Sequence, residues 1–388
     1  MSIKPMSVAI FQTTEYRRAV AQKELGDSAG PVSGIQFHVP QLDGLRGLAI
    51  FFVLVGHAAY QSIPGFSPLH QFADLARLGV LLFFVLSGYL ITTLLCREKN
   101  SSGDVDLSRF YIRRILRLIP ALFVFLVTVA CLSFTGYIEK VQPYEFLACT
   151  LYLRNIFGRS EALAHLWSLS LEEQFYTIWP PIAKLVRWEK LLWIAALTTA
   201  GMCIWRGVAI HLRLFNYPGG IYYLRPYFRF DSILIGCCLA LWMIHGPSRI
   251  PKIFTIIPAP VIWLLLIVWT DIGDTACPPL YITLQMLGAV WILYRAVIGT
   301  RFTMLTNPGL RFLGKISYSL YLWQQIFLWL RDRPWGILHS FPFDLLASSL
   351  AALSSYLLIE KPFLRLKKKF ARKQPARSMA TDCAAHAV

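Results

Sequence analysis

Charge is scarce in this 388-residue chain: 15% of its residues are Asp, Glu, Lys or Arg, where soluble domains average about 25%. Acid is scarcer still, with 21 carboxylates against 38 Lys and Arg, a net charge of +17, while hydrophobic residues make up 56%. That balance excludes an ordinary soluble domain. It also excludes a nucleic-acid binder, for which the chain has positive charge but no recognition module. No Walker loop, GxGxxG turn or HExxH pair occurs, so nucleotide hydrolysis and zinc proteolysis have no footing. The eight cysteines form no CxxC pair and lie mostly in or beside apolar stretches. Neither a disulfide framework nor a metal site is expected from them. No basic segment near the start leads into an apolar run and a small-residue cleavage site, so no removable signal peptide is expected.

Apolar runs of membrane-crossing length, about 17–25 residues each, are abundant. Ten recur, near 44–62, 77–95, 115–134, 165–186, 190–210, 228–246, 253–270, 280–299, 316–333 and 343–360. They define an all-α, polytopic membrane protein with about ten transmembrane helices. Between them, Pro143 to Phe157 reads either as a short interfacial helix or as an extra half-span. Residues 1–40 read as a flexible segment and residues 366–388 as a basic tail. Lys and Arg are unevenly shared among the connections: 96–117, 184–190, 247–252, 300–315 and 361–388 hold 22, and the alternate connections hold 5. Cytoplasmic loops retain basic residues, so both termini are expected in the cytoplasm. The basic tail is read as part of this topology signal in preference to a contact with anionic lipid.

Ionisable groups inside spans cost about 2.5–3.5 kcal/mol each on insertion scales, so each calls for a partner, a wet cavity or a function. Arg46 and His57 are eleven residues apart in the first span, which returns them to one helix face about 16 Å apart along the axis. His57 then lies deep, and imidazole is the side chain best suited to take a proton from a hydroxyl near neutral pH. Asp43 is spaced to pair with Arg46. A second cluster, His165-Leu-Trp-Ser-Leu-Ser-Leu-Glu-Glu-Gln, opens the fourth span. Glu172 is expected to face the bundle interior, with Glu173 nearer a neighbouring helix. Arg113, Arg114 and Arg117 lie in the first basic loop, and guanidinium suits bidentate phosphate binding better than ammonium does. Arg229 and Asp231 open the sixth span, where they are expected to compensate each other or to support an acceptor. Tyr321 lies in the polar stretch of the ninth span.

Seven motifs in order resemble the acyltransferase 3 family: Leu42-Asp-Gly-Leu-Arg-Gly-Leu-Ala with Gly56-His57, Phe83-Phe-Val-Leu-Ser-Gly-Tyr-Leu-Ile, Phe110-Tyr-Ile-Arg-Arg-Ile-Leu-Arg-Leu-Ile-Pro, Trp167-Ser-Leu-Ser-Leu-Glu-Glu-Gln-Phe-Tyr, Arg229-Phe-Asp, Tyr318-Ser-Leu-Tyr-Leu-Trp and Glu360-Lys-Pro-Phe. The resemblance places the transmembrane domain at 41–365. It implies transfer of an acyl group, commonly acetyl, from cytoplasmic acyl-CoA to a hydroxyl on a carbohydrate or lipid-linked glycan, in a bacterial inner membrane and without a permanently bound cofactor. The family's R-x-x-A signature falls on Arg46 and Ala49, its first-span histidine on His57, and its S-x-E on Ser170 and Glu172. Gln324 stands where relatives often have His, a departure that bears on any proton-transfer role there. The expected scheme gives Arg46, Arg113, Arg114 and Arg117 to acyl-CoA, and makes His57 the general base. Glu172 either orients His57 or binds the acceptor; Asp43 fixes Arg46, and Ser170, Glu173, Arg229, Asp231 and Tyr321 support the site or bind the acceptor. A covalent acyl-histidine is the competing chemical route. A transporter or a non-catalytic scaffold for polysaccharide export are the alternatives from other classes. The sequence is silent on oligomeric state.

Overall fold

A computed structural model describes residues 39–60, 75–212, 214, 225–245, 278–298, 303–328 and 341–369. Among these residues there are helices and connections, and no strand. The helices in chain order are α1 (Pro40–Tyr60), α2 (Leu75–Ser102), α3 (Leu107–Phe134), α4 (Pro143–Thr150), α5 (Leu166–Leu185), α6 (Trp188–His211), α7 (Pro226–His245), α8 (Pro278–Ile298), α9 (Pro308–Leu328), α10 (Phe343–Ser355) and α11 (Lys361–Lys369), with a π-helical turn at Tyr356–Glu360 joining the last two. All except α4 and α11 fall on expected spans; the expected span 253–270 lies outside the described residues. Among the described residues, five segments are long and apolar enough to cross a membrane: Pro40–Ala59, Leu75–Ser102, Leu107–Phe134, Trp188–His211 and Phe343–Lys367. Ile282–Ile298 is apolar but shorter. Five crossings rest on length and composition, and the count of ten stays an expectation of the sequence.

Two local features correct the sequence reading. Asp106 caps α3, its Oδ1 accepting from the Arg109 backbone N–H at 3.0 Å. The helix therefore starts at Leu107, and Arg113, Arg114 and Arg117 stand on helical turns instead of in a loop. At 28 residues α3 is about 42 Å long, against a hydrocarbon core of about 30 Å, so its arginine-bearing end extends past the core. The stretch 143–157 forms the eight-residue helix α4 followed by turns. A rise of about 12 Å makes no half-span of it.

Helix ends at the basic side of the bundle are tied together. Lys99 Nζ donates to the carbonyls of Ala183 (3.2 Å), Lys184 (2.9 Å) and Val186 (3.2 Å) at the end of α5, and lies 4.7 Å from the Trp188 ring centroid. Orphan carbonyls and a helix C-terminus both favour a cation there. Between α1, α2, α5, α7 and α9 the interior is apolar, built on Ile50, Val53, Phe84, Phe175, Leu234 and Leu320.

Small residues set how closely helices approach. A Cβ on Gly47 would collide with the Leu310 carbonyl oxygen and lie 3.2 Å from the Gly314 amide; a Cβ on Gly314 would collide with the Asp43 carbonyl oxygen. Ten residues after each glycine come His57 and Gln324, and these two side chains also meet. Equal steps from one contact to the next mean that α1 and α9 run parallel and in register.

Asp231 does not pair with Arg229. Residues two apart on a helix project about 200° apart, and Asp231 instead meets Arg206 of α6, both side chains fully buried. Arg206 also donates to the Phe228 carbonyl at 3.0 Å and Thr283 Oγ1 at 3.2 Å, joining α6, α7 and α8. Arg229 is buried beside Phe84, its guanidinium 5.9 Å from the ring centroid. Substituting Arg206→Ala strands the Asp231 carboxylate, and a loss of about 3–5 kcal/mol is expected. Unfolding of the detergent-solubilised variant measures it; wild-type stability would rule out this pair as the clamp between α6 and α7.

Candidate active site

The site is a polar column running along α1, α5 and α9. At its basic end Arg46 lies within electrostatic range of Arg117, Tyr176, Glu172 and Asp43. Asp43, expected to fix Arg46, shares that guanidinium with Glu172 and Glu360. Arg114 is engaged elsewhere: Nε donates to both Glu173 carboxylate oxygens at 2.8 Å, and its guanidinium stacks 3.3 Å from the Tyr176 ring centroid. Arg113 pairs with Glu98 at 3.5 Å. Arg46 and Arg117 make no ion pair within 4 Å among the described residues.

Two participants were given no role in the sequence reading, although Glu360 opens one of the seven motifs. Lys367 of α11 lies in the field of Arg117, Arg113, Arg46 and Arg114, because α11 packs against α3. In the sequence it was one lysine of a basic tail, and nothing there shows that the tail folds back. Glu360 ends the π-helical turn, is buried, accepts from Ser319 Oγ at 2.9 Å, and acts on Arg117 and Arg46. A carboxylate closing an apolar run was the available signal. π-turns are rare and frequent at functional sites.

One level further along, Glu172 Oε1 accepts from Ser87 Oγ at 3.1 Å and lies near Arg46, Arg114 and Glu173. It does not hydrogen-bond His57. That contact belongs to Gln324, whose Oε1 lies 2.7 Å from His57 Nδ1. An amide oxygen only accepts, so this contact fits the tautomer with the proton on Nδ1. The position at which relatives often have His thus orients the imidazole in this chain.

At the other end of the column, Tyr321 Oη donates to the His165 carbonyl at 2.7 Å and meets Ser168 Oγ. Ser170 is buried, donating to the Leu166 carbonyl at 2.9 Å and accepting from the Arg154 backbone N–H at 3.2 Å. It braces the connection above α5. The same connection is held by Glu145, whose Oε2 accepts from the backbone of Arg159 and Ser160 at 2.9 Å, and by Arg154, which donates to the Gly158 and Ser160 carbonyls at 2.8 and 2.7 Å. His165 and His57 act on each other electrostatically at this end, as Arg46 and Tyr176 do at the first. Arg46 and His57 along α1, and His165 and Tyr176 along α5, are each eleven residues apart, so α1 and α5 run antiparallel with matched depths. No cluster of three His, Cys, Asp or Glu able to hold a metal occurs among the described residues.

The long apolar helices and the buried polar column define a membrane protein with an internal site. A family profile described as "Acyltransferase domain" matches residues 39–360, and the chain belongs to the acyltransferase 3 family. It is 31% identical over 316 residues to a Staphylococcus aureus (strain COL) protein provisionally named an O-acetyltransferase, covering 74% of this chain and 50% of that one. It is also 31% identical over 318 residues to the peptidoglycan O-acetyltransferase OatA of Listeria monocytogenes, covering 74% of this chain and 49% of OatA. The match spans about half the length of these curated relatives. No solved structure gives a significant match.

Proposed function

We propose that the protein is an integral-membrane O-acyltransferase of the bacterial inner membrane, moving an acyl group, acetyl first among candidates, from cytoplasmic acyl-CoA to a hydroxyl of a carbohydrate or lipid-linked glycan. The carrying observation is His57, held through Nδ1 by Gln324, about three helical turns from a cationic mouth. The relatives' names, O-acetyltransferase in each case and peptidoglycan O-acetyltransferase for OatA, support acetyl as the group and a glycan as the acceptor. The basic end of the bundle is the cytoplasmic end in this scheme, with both termini on that side.

Arg46, Arg117 and Lys367 take the CoA phosphates, and the pantetheine arm lies along α1. Arg113 and Arg114, already paired with carboxylates, shape the mouth. Glu172 and Glu360 hold the mutually repelling cations in place before the donor arrives. At the far end His57 Nε2 takes the proton of the acceptor hydroxyl as its oxygen attacks the thioester carbonyl. The C–O bond forms, the C–S bond breaks with its electron pair on sulfur, and His57 returns the proton to the thiolate.

Purified protein in liposomes, given labelled acetyl-CoA and a panel of glycans, tests this. Arg46→Gln and Arg117→Gln are each expected to raise the KM for acetyl-CoA about tenfold or more, without affecting the KM for an acetyl thioester of N-acetylcysteamine, which has no phosphate. Absence of thioester consumption across the panel would sink the proposal, and equal effects on both donors would remove the arginines from the phosphate site.

A further inference from the structure

His165 is a buried imidazole that the scheme above leaves unused. It stands at the N-terminus of α5 with 4% of its surface exposed. Phe125 of α3 meets its ring at 5.4 Å and 89°, and Tyr321 of α9 lies against it at 5.4 Å and 58°. The Tyr321 hydroxyl fixes its backbone carbonyl. Neither ring nitrogen has a hydrogen-bond partner within normal distance and angle, and the polar backbone group that approaches the ring is that of Leu322. The groups facing it are His57 from α1, Arg154 from the connection above, Tyr321 from α9 and Ser168 from its own helix. Arg154 spends its terminal guanidinium nitrogens on Gly158 and Ser160.

Two further polar groups nearby also have no partner. Gln324 gives its oxygen to His57, while its Nε2 bonds nothing among the described residues; Trp323 Nε1 is likewise unpartnered. The Trp323 ring packs on the same Phe125 at 5.7 Å and 90°. Buried polar groups are almost always satisfied, so three unpartnered side chains linked through Phe125 and His57 call for an explanation. A neutral imidazole offers one donor and one acceptor, and indole N–H and amide NH₂ offer donors. Adjacent hydroxyls match that set, and the Phe125, Trp323 and Tyr321 rings suit the apolar face of a sugar.

We propose that His165, with Trp323 and the Gln324 amide, forms the acceptor subsite, holding neighbouring hydroxyls of a polyhydroxyl acceptor so that the reacting one faces His57. This rests on the acyl-transfer reading above. The test is a partition: the protein in liposomes is given acetyl-CoA with glycerol in excess, and acetylated glycerol and free acetate are measured by mass spectrometry. His165→Phe is expected to lower the ratio of acetylated glycerol to acetate about tenfold, the value of one lost hydrogen bond to a bound group. His165→Gln, which keeps a donor and an acceptor, lowers the ratio less and serves where the Phe variant does not fold. The same ratio in all three proteins overturns the subsite. No thioester consumption by the unaltered protein would instead overturn acyl transfer itself.

Discussion

Replacing His57 by alanine is expected to lower acyl transfer from acetyl-CoA by about 10²–10⁴-fold, the usual contribution of a positioned general base. The loss falls on kcat. Arg46, Arg117 and Lys367 lie about three helical turns away and still hold the donor, so the KM for acetyl-CoA stays near wild type. The expectation depends on tautomer as well as presence. Because Gln324 accepts from Nδ1, the working lone pair is on Nε2; Gln324→Leu frees the ring to adopt the other tautomer and gives an intermediate loss, while Gln324→Asn, too short by one methylene, falls between. A measured kcat for His57→Ala equal to wild type in proteoliposomes would remove this residue from the chemistry. Accumulation of label on the wild-type protein and not on the variant would favour the acyl-histidine route over direct transfer.

Glu172→Gln separates two roles that the sequence left open. Orientation of His57 falls to Gln324, and Glu172 lies among Ser87, Arg46 and Arg114. Neutralising it is therefore expected to act on donor binding, raising the KM for acetyl-CoA through a looser Arg46, with kcat much less affected than in His57→Ala.

Much of this was legible in the sequence. The 3.6-residue period puts Arg46 and His57 on one face, and the structure joins both to the same column. The alternation of basic connections also brought together segments that meet in the structure: 96–106 joins 184–190 through Lys99 and Lys184, and α11 packs on the arginine-bearing start of α3. The missing part was pairing across helices. Nothing in the sequence tells Arg114 to choose Glu173, Asp231 to choose Arg206, or Lys367 to return to α3, since each partner lies tens of residues away and depends on which faces the packing brings together. The start of α3 was misplaced for a local reason that was present in the sequence: Asp106 is an N-cap, outweighed in the reading by the density of charge that follows it.

Gly314→Ala is expected to be among the most disruptive single methyl groups at the described glycines. A Cβ there meets the Asp43 carbonyl oxygen and lies 3.1 Å from the Gly47 amide, both backbone atoms of α1 that no rotamer change can clear. The helices must separate. Overpacking costs about 1–3 kcal/mol where side chains can yield, and a backbone obstacle puts this variant at or above the upper end. Separation at Gly47 and Gly314 carries along both rigid helices to the parallel contact ten residues on, so the 2.7 Å bond from His57 to Gln324 is lost and activity should fall toward that of His57→Ala. Gly201→Ala in α6 is the matched control, since a Cβ there meets nothing within 4 Å; it is expected to be neutral or to stabilise by up to about 1 kcal/mol through helix propensity. Thermal unfolding and kcat for the two variants decide the matter. If Gly314→Ala behaves like Gly201→Ala, then α1 and α9 do not cross at these glycines, and the register that carries Gln324 to His57 falls with it.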